Sequence, residues 1–202
     1  MARTRANNVK EPMTERLFLV RHGETAWSQS GQHTGRTDVP LTARGEASAR
    51  KLGPRLSGVP FSAVLTSPAQ RARRTCELAG LAGAARIEPD LAEWDYGAYE
   101  GKRSAEILRE RAGWIIFRDG CPGGETPAQV SDRADRLIAR LRTLDGTVAA
   151  FTHGHFGRVL AARWIGLPII EARGLLLSTA SLSILAYEHD NPEEPVLALW
   201  NS

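Results

Sequence analysis

The sequence predicts an α/β protein, a three-layer α/β/α sandwich around a mainly parallel central sheet. Three observations predict it. Short apolar runs such as "LFLV" (17–20) read as buried strands. Amphipathic helical stretches alternate with such strands almost to the end of the chain, the pattern of a sheet layered between helices. Three of the strands stop at polar clusters: "RHGET" (21–25), "TSPAQRARRT" (66–75) and "THGH" (152–155). A parallel sheet brings such ends together at one edge, where α/β proteins bind ligands.

The first strand, Leu17 to Val20, stops at a turn marked by Gly23. After the polar loop "SQSGQHTGRTDVP", a helix starts within "LTARGEASARKLGPRL", with Thr42 as N-cap and Glu46 in its first turn. "FSAVLTS" (61–67) is the second strand, and Pro68 suits the first turn of the helix "PAQRARRTCELAGLA". "ARIEP" reads as a short third strand. Residues 97–125 are rich in glycine and are expected to form a loop-rich capping region, with one helix around 103–112. A helix from Pro127 to Leu144 places Val130, Ala134, Leu137, Ile138 and Leu141 on one face. "GTVAAFTHGH" is a strand, "FGRVLAARWIGL" a helix, and "ASLSILAYEHD" and "EPVLALWN" are two closing strands. The expected organisation is a mobile tail over residues 1–15 and a single domain over 16–202.

Composition narrows the function. Of 202 residues, 42% are hydrophobic and 24% charged, ordinary values for a globular protein with a sizeable core. The formal net charge is only +3, and the arginines are scattered beside Glu and Asp rather than gathered in a tract, so no nucleic-acid partner is indicated. No apolar run approaches the roughly 18 residues of a membrane span. The polar, basic N-terminus lacks the apolar stretch of a secretory signal. Cys76 and Cys121 form neither a disulfide framework nor a zinc cluster. A cytoplasmic protein is expected.

Gathered at one edge, Arg21, His22, Arg71 and His153 make an anion site, because guanidinium forks match the oxygens of a phosphoryl group. Cationic neighbours disfavour imidazolium, so His22 is expected to stay neutral, and a neutral imidazole is a nucleophile. The plainer reading leaves Arg21 and Glu24 as solvated loop charges and His22 as a turn residue. His155 follows His153 by two residues, and on a regular strand both rings would face one side. A His-x-His pair needs further ligands to hold a metal, and no carboxylate or cysteine flanks this one, so no metal is expected. His33 and His189 read as surface residues, Trp94 and Tyr99 as packing, and Cys121 as an unactivated loop thiol.

Taken in order, "LVRHGET", "TSPAQRARRT", "LAEWDYGAYEG", "GGET" and "THGH" resemble the motif series of the histidine phosphatase superfamily, the phosphoglycerate mutase-like proteins. The resemblance runs from about residue 17 to the end of the chain. It implies the phosphoglycerate mutase-like fold, no cofactor, and a phosphohistidine formed on His22. Arg21, Arg71 and His153 would bind the phosphoryl oxygens, with the Gly154 N–H as a further donor. Glu93 would be the general acid that protonates the leaving oxygen and then activates water, a role Asp95 would contest without the resemblance. A carboxyl beside a dianionic phosphate holds its proton more readily, in keeping with that role. Tyr96 matches a substrate-contacting tyrosine and is expected in the pocket wall. Thr34 and Gly35 match substrate contacts, and dimers are common in the family, with "EPVLALWN" as an edge that could pair.

The same resemblance separates two activities. The mutases carry Asn where Ser28 stands and a substrate-binding lysine where Ser104 stands, and they have an insertion before the "GGET" position that this chain lacks. Ser28 then takes the substrate-binding position, and Lys102 or Arg103 could replace a lost anchor. Loss of two anchors loosens the grip on a second anionic end and opens the site to water, which favours hydrolysis. The stretches "SGQHTGRTDVPLT", "AEWDYGAYEG" and "RDGCPGGET" look closest to sugar-phosphate phosphatases of the sedoheptulose bisphosphatase type and to bacterial acid phosphatases. The expected activity is hydrolysis of a small phosphorylated metabolite, a sugar phosphate or a related acid. A phosphoglycerate mutase, a phosphoprotein phosphatase and an inactive phosphate-binding module are the alternatives.

Overall fold

A computed structural model of the chain describes residues 14–202. Its elements in chain order are β1 (Thr14–Arg21), α1 (Ala26–Ser30), α2 (Ala43–Arg50), α3 (Gly53–Leu56), β2 (Phe61–Thr66), α4 (Gln70–Leu78), β3 (Ala85–Ile87), α5 (Ser104–Glu110), α6 (Ile116–Asp119), α7 (Pro127–Arg142), β4 (Gly146–Thr152), α8 (Gly154–Trp164), β5 (Leu182–Tyr187) and β6 (Pro195–Leu199). They build one six-stranded sheet in the order β3-β2-β4-β1-β5-β6. β3, β2, β4 and β1 pair in parallel, while β5 pairs antiparallel with β1, and β6 antiparallel with β5.

Period-two alternation along the central strands feeds two cores. Leu17 and Leu19 of β1, with Val148 and Ala150 of β4, pack against α7 and α8. Phe18, Val20, Ala149 and Phe151 face the other way, against Leu52, Leu56 and Cys76. A strand covered on both faces must be apolar throughout, which is why "LFLV" shows no alternation. Each fully buried Leu or Phe stabilises the fold by roughly 1.5–3 kcal/mol. All five apolar residues expected on one face of α7 are buried, and Thr126 and Gln129 cap the helix reciprocally.

The structure corrects several boundaries. Of the tail expected over 1–15, residues 1–13 lie outside the described residues, and Thr14 and Glu15 belong to β1. Thr14 pairs with Gly146, and its hydroxyl donates to the carbonyls of Leu141 and Leu144. The helix expected over 41–56 is two helices, α2 and α3, with Pro54 at the start of α3, where its missing N–H costs nothing. Pro68 lies outside α4, whose N-cap is Ala69. There the chain is still held by the strand, since the Ser67 N–H donates to Phe151 O at 2.9 Å. β4 stops at Thr152, and Gly154 and His155 already belong to α8.

Behind the first motif two backbones nearly touch. A Cβ at Gly23 would lie 2.6 Å from the carbonyl oxygen of Gly45, and one at Gly45 only 2.1 Å from that of Glu24. Glycine at both places lets α2, capped by Thr42, press against the turn that follows β1. Residues 97–125 carry two short helices, α5 and α6, rather than one. They are strapped to the loop after α1 by His33 N–H to Lys102 O and Gly101 N–H to His33 O, both 2.9 Å.

Candidate active site

Because β1 and β4 are neighbours, their carboxyl ends set His22 beside His153, with ring centroids 5.2 Å apart. The His22 N–H donates to Thr152 O at 2.9 Å, extending the ladder by one step. Its ring is buried, and Nδ1 lies 2.7 Å from Gly23 O. A carbonyl only accepts, so Nδ1 carries the proton and Nε2 keeps its lone pair. Burial first, then the charges of Arg21 and Arg71, push the His22 pKa well below the ordinary histidine value. The ring is a neutral imidazole with a fixed tautomer.

Arg71, on α4, is wholly buried. It donates through Nε to His153 Nδ1 at 3.2 Å, through Nη1 to Thr37 O at 3.0 Å, and through Nη2 to Thr34 O and Gly35 O, each 3.0 Å. One Nη1–H is left for a further acceptor. His153 Nδ1 accepts the Arg71 Nε–H, so its Nε2–H donates to Ser67 Oγ at 2.7 Å. Burial lowers the His153 pKa well below normal, and this ring is neutral too.

Arg21 donates through Nη1 to Leu177 O, while its buried Nε has no partner among the described residues. A buried unsatisfied donor costs about 1–3 kcal/mol, and a phosphoryl oxygen is an acceptor of matching charge. Gly154 heads α8, where backbone N–H groups lack intrahelical partners. A Cβ there would stand 3.2 Å from Arg21 Cζ, so glycine lets the guanidinium approach the helix end.

Glu93 lies on the loop after β3, against the N-terminus of α8. Its Oε1 accepts from Trp94 N at 2.9 Å and Phe156 N at 2.8 Å, and its Oε2 accepts from His155 N at 3.0 Å. One lone pair of Oε2 stays free to carry a proton. The loop is anchored from α7 by Arg133, which donates to Ala92 O at 2.7 Å and Asp90 O at 2.9 Å. The same guanidinium grips Glu125 with Nε–Oε1 2.9 Å and Nη2–Oε2 2.8 Å.

Arg21, His22, Ser28, Thr34, Glu93, Tyr96 and Gly154 line a cavity of about 230 Å³. A second cavity, of about 490 Å³, shares Glu93 and is lined by Gly35 and His153 among others. Arg71 lines neither cavity but is bonded to His153 and Gly35, which line the larger one. The Thr34 and Gly35 carbonyls hold Arg71, and Ser28 Oγ is engaged twice by the Thr25 backbone in a capping box. Tyr96 is buried and its hydroxyl lies 2.6 Å from His155 Nδ1. Asp95 does not compete for the place of Glu93, because it pairs with Arg36 at 2.7 Å.

Two histidine expectations are corrected. His33 is buried, not on the surface: its ring stacks on Tyr96 at 4.7 Å and packs against Trp114 of the 97–125 region. Burial brings its pKa down to about 4. His155 does not share a face with His153, because the turn into α8 at Gly154 rotates it towards Tyr96 and Phe117. Arg133, Glu125, Ser67, His33 and His155 were not read from the sequence as site residues. Ser67, Glu125 and His155 sit inside the quoted motifs and His33 inside the stretch "SGQHTGRTDVPLT", which is the available signal.

Among the described residues no group of three or more His, Cys, Asp or Glu side chains is placed to hold a metal ion. No helix there is long and apolar enough to cross a membrane. Cys76 and Cys121 are free and buried, and burial pushes each thiol up to about 12.

Known proteins of similar sequence and fold show the family. The family model described as histidine phosphatase superfamily (branch 1) matches residues 17–202. An acid phosphatase of Mycobacterium tuberculosis is 42% identical over 91% of this chain and 92% of its own. The sedoheptulose 1,7-bisphosphatase of Saccharomyces cerevisiae is 33% identical over 93% of each chain. The crystal structure of an alpha-ribazole phosphatase from Shigella flexneri superposes with a TM-score of 0.79 at 29% identity, covering 93% of this chain and 96% of that one. With a neutral histidine between the half-buried Arg21 and the buried Arg71 at the carboxyl edge of the sheet, the chain belongs to branch 1 of the histidine phosphatase superfamily.

Proposed function

We propose that the protein is a phosphomonoesterase that hydrolyses a small phosphorylated metabolite, a sugar phosphate, through a phosphohistidine on His22. The observation that carries this reading is the His22 tautomer: Nδ1 is held by Gly23 O at 2.7 Å, so Nε2 is the attacking atom. Nε2 forms the N–P bond as the ester P–O bond breaks. The phosphoryl oxygens are met by Arg21, by the remaining N–H of Arg71 and by the Gly154 N–H, which offset the charge spread over them. His153 supports this clamp from behind by holding Arg71 Nε. Glu93 gives its proton to the leaving alkoxide. Its carboxylate then takes a proton from water as that water attacks phosphorus, which frees phosphate and restores His22.

The relatives named as phosphatases support hydrolysis over transfer. A cytoplasmic location is in keeping with two free, buried cysteines, and a homodimer through the β6 edge is testable by light scattering. The purified protein, assayed with a chelator present, should release phosphate from sugar phosphates without isomerising 3-phosphoglycerate. Isomerisation outrunning phosphate release would instead favour a mutase.

A further inference from the structure

Resting on the phosphatase reading, we infer that Trp200 and Asn201, the two residues that follow β6, are positioning residues for the Arg21 arm of the phosphoryl clamp. Sheet topology brings them there. β5 runs antiparallel to β1, so its first residues lie beside the last of β1, with Leu182 opposite Val20. β6 runs antiparallel to β5, with Leu199 opposite Ile184, so its end returns to the same edge of the sheet. The loop that leads into β5 is bonded to the site through its backbone. Leu177 O accepts from Arg21 Nη1, Ser181 O accepts from the Arg21 N–H at 3.2 Å, and the Ala180 N–H donates to His22 O at 3.0 Å. Among the described residues the Leu177 carbonyl is the one hydrogen-bond acceptor of the Arg21 side chain, so it sets where the unpartnered Nε points.

That carbonyl belongs to the planar peptide between Leu177 and Ser178, in which C=O and N–H point in opposite directions. Arg21 holds one end of this group, and Asn201 holds the other, its Oδ1 accepting from the Ser178 N–H at 2.6 Å. Trp200 fixes the preceding peptide, with Nε1 donating to Leu176 O at 2.7 Å. Leu176 and Ser178 are exposed and only Leu177 between them is buried, so packing restrains this stretch weakly and the two side chains supply the rest. Asn201 is itself fixed in the left-handed region that asparagine tolerates, at φ 54°, and its N–H donates to Ser183 Oγ at 3.0 Å. A guanidinium on a long side chain loses rotamer freedom when it grips an anion, and an acceptor held in advance lessens that loss.

Coupling to Arg21 tests this. Asn201→Gly keeps the left-handed backbone and removes the acceptor, and Trp200→Phe keeps an aromatic ring and removes the donor. Each should lower kcat/KM for p-nitrophenyl phosphate by about tenfold. An alkyl phosphate should lose the same factor, because Arg21 meets the phosphoryl group and not the leaving group. Asn201→Asp, still an acceptor for the Ser178 N–H, should recover most of the Asn201→Gly loss. In an Arg21→Met background both substitutions should change kcat/KM by no more than about twofold. Losses that persist at full size in that background overturn the inference, since a general effect on the fold does not pass through Arg21, and so does the absence of any loss. The two variants are read separately, so one that fails to fold leaves the other to decide. A wild-type protein that releases phosphate from neither substrate defeats the phosphatase reading and the inference with it, whereas uncoupled losses in an active enzyme defeat the inference alone.

Discussion

His22 and Gly23 are adjacent in the chain, and the 2.7 Å bond from the ring Nδ1–H to the Gly23 carbonyl makes Nε2 the reacting atom. The bond also orients the ring without help from any carboxylate, which leaves it uncharged and nucleophilic between Arg21 and Arg71. Brief incubation with labelled substrate followed by denaturation in alkali should trap phosphate on His22 Nε2, and the label should be lost in acid. His22→Ala should trap none and should lower turnover by about a thousandfold or more. Near-normal turnover by this variant would remove the phosphohistidine mechanism.

Glu93 and its leaving-group role make a separate prediction. Glu93→Gln should slow hydrolysis of alkyl phosphates by about a hundredfold, because an alkoxide needs a proton as it departs. The same variant should lose much less in kcat/KM for p-nitrophenyl phosphate, since kcat/KM reports only transfer to His22 and nitrophenolate leaves without a proton. Equal losses of kcat/KM on both substrates would remove the leaving-group role of Glu93.

Arg133 lines the larger cavity and positions Glu93 through the backbone of its loop. Arg133→Met breaks its fork on Glu125 and its bonds to the carbonyls of Asp90 and Ala92. It should cost about 2 kcal/mol in stability, since the pair is partly exposed and a carboxylate loses its partner. Its loss in kcat should show the same leaving-group dependence as Glu93→Gln. A uniform loss across substrates would assign Arg133 a structural role alone.

Acid should destabilise the fold from about pH 6.5 downwards through its buried histidines. His33 takes its proton near 6.5 when exposed but only near about 4 when folded. Between those values the unfolded chain binds a proton that the native chain refuses. The contribution is therefore complete above pH 6.5, falls as pH drops through the window, and levels off below pH 4, a total of about 3 kcal/mol. His22, His153 and His155 are shifted in the same direction and steepen the loss. Urea unfolding at pH 7.5, 6, 5 and 4 measures it, and a flat midpoint across that range would contradict it.

Local chemistry was enough to fix much of this molecule from the sequence. Apolar runs marked the central strands, the one-sided pattern of residues 127–144 marked α7, and Thr42 marked a helix start, because these signals act within a few residues. The polar clusters at three strand ends named Arg21, His22, Arg71 and His153, and parallel pairing does bring them together. Helix ends were less legible: Pro68 fell outside α4 and His155 inside α8, since strand hydrogen bonds and the turn at Gly154 set those limits. Tertiary structure alone decided where His33 and His155 sit, which donors of Arg71 are taken, and which atom of the His153 ring accepts. Those outcomes depend on partners far away in the chain: the 97–125 region that covers His33, the loop carbonyls that engage Arg71, the Arg71 Nε–H that meets His153 Nδ1, and the α7 guanidinium that anchors Glu93. A side chain's type is written in the sequence, but its remaining hydrogen-bonding capacity is settled only when every neighbour is in place.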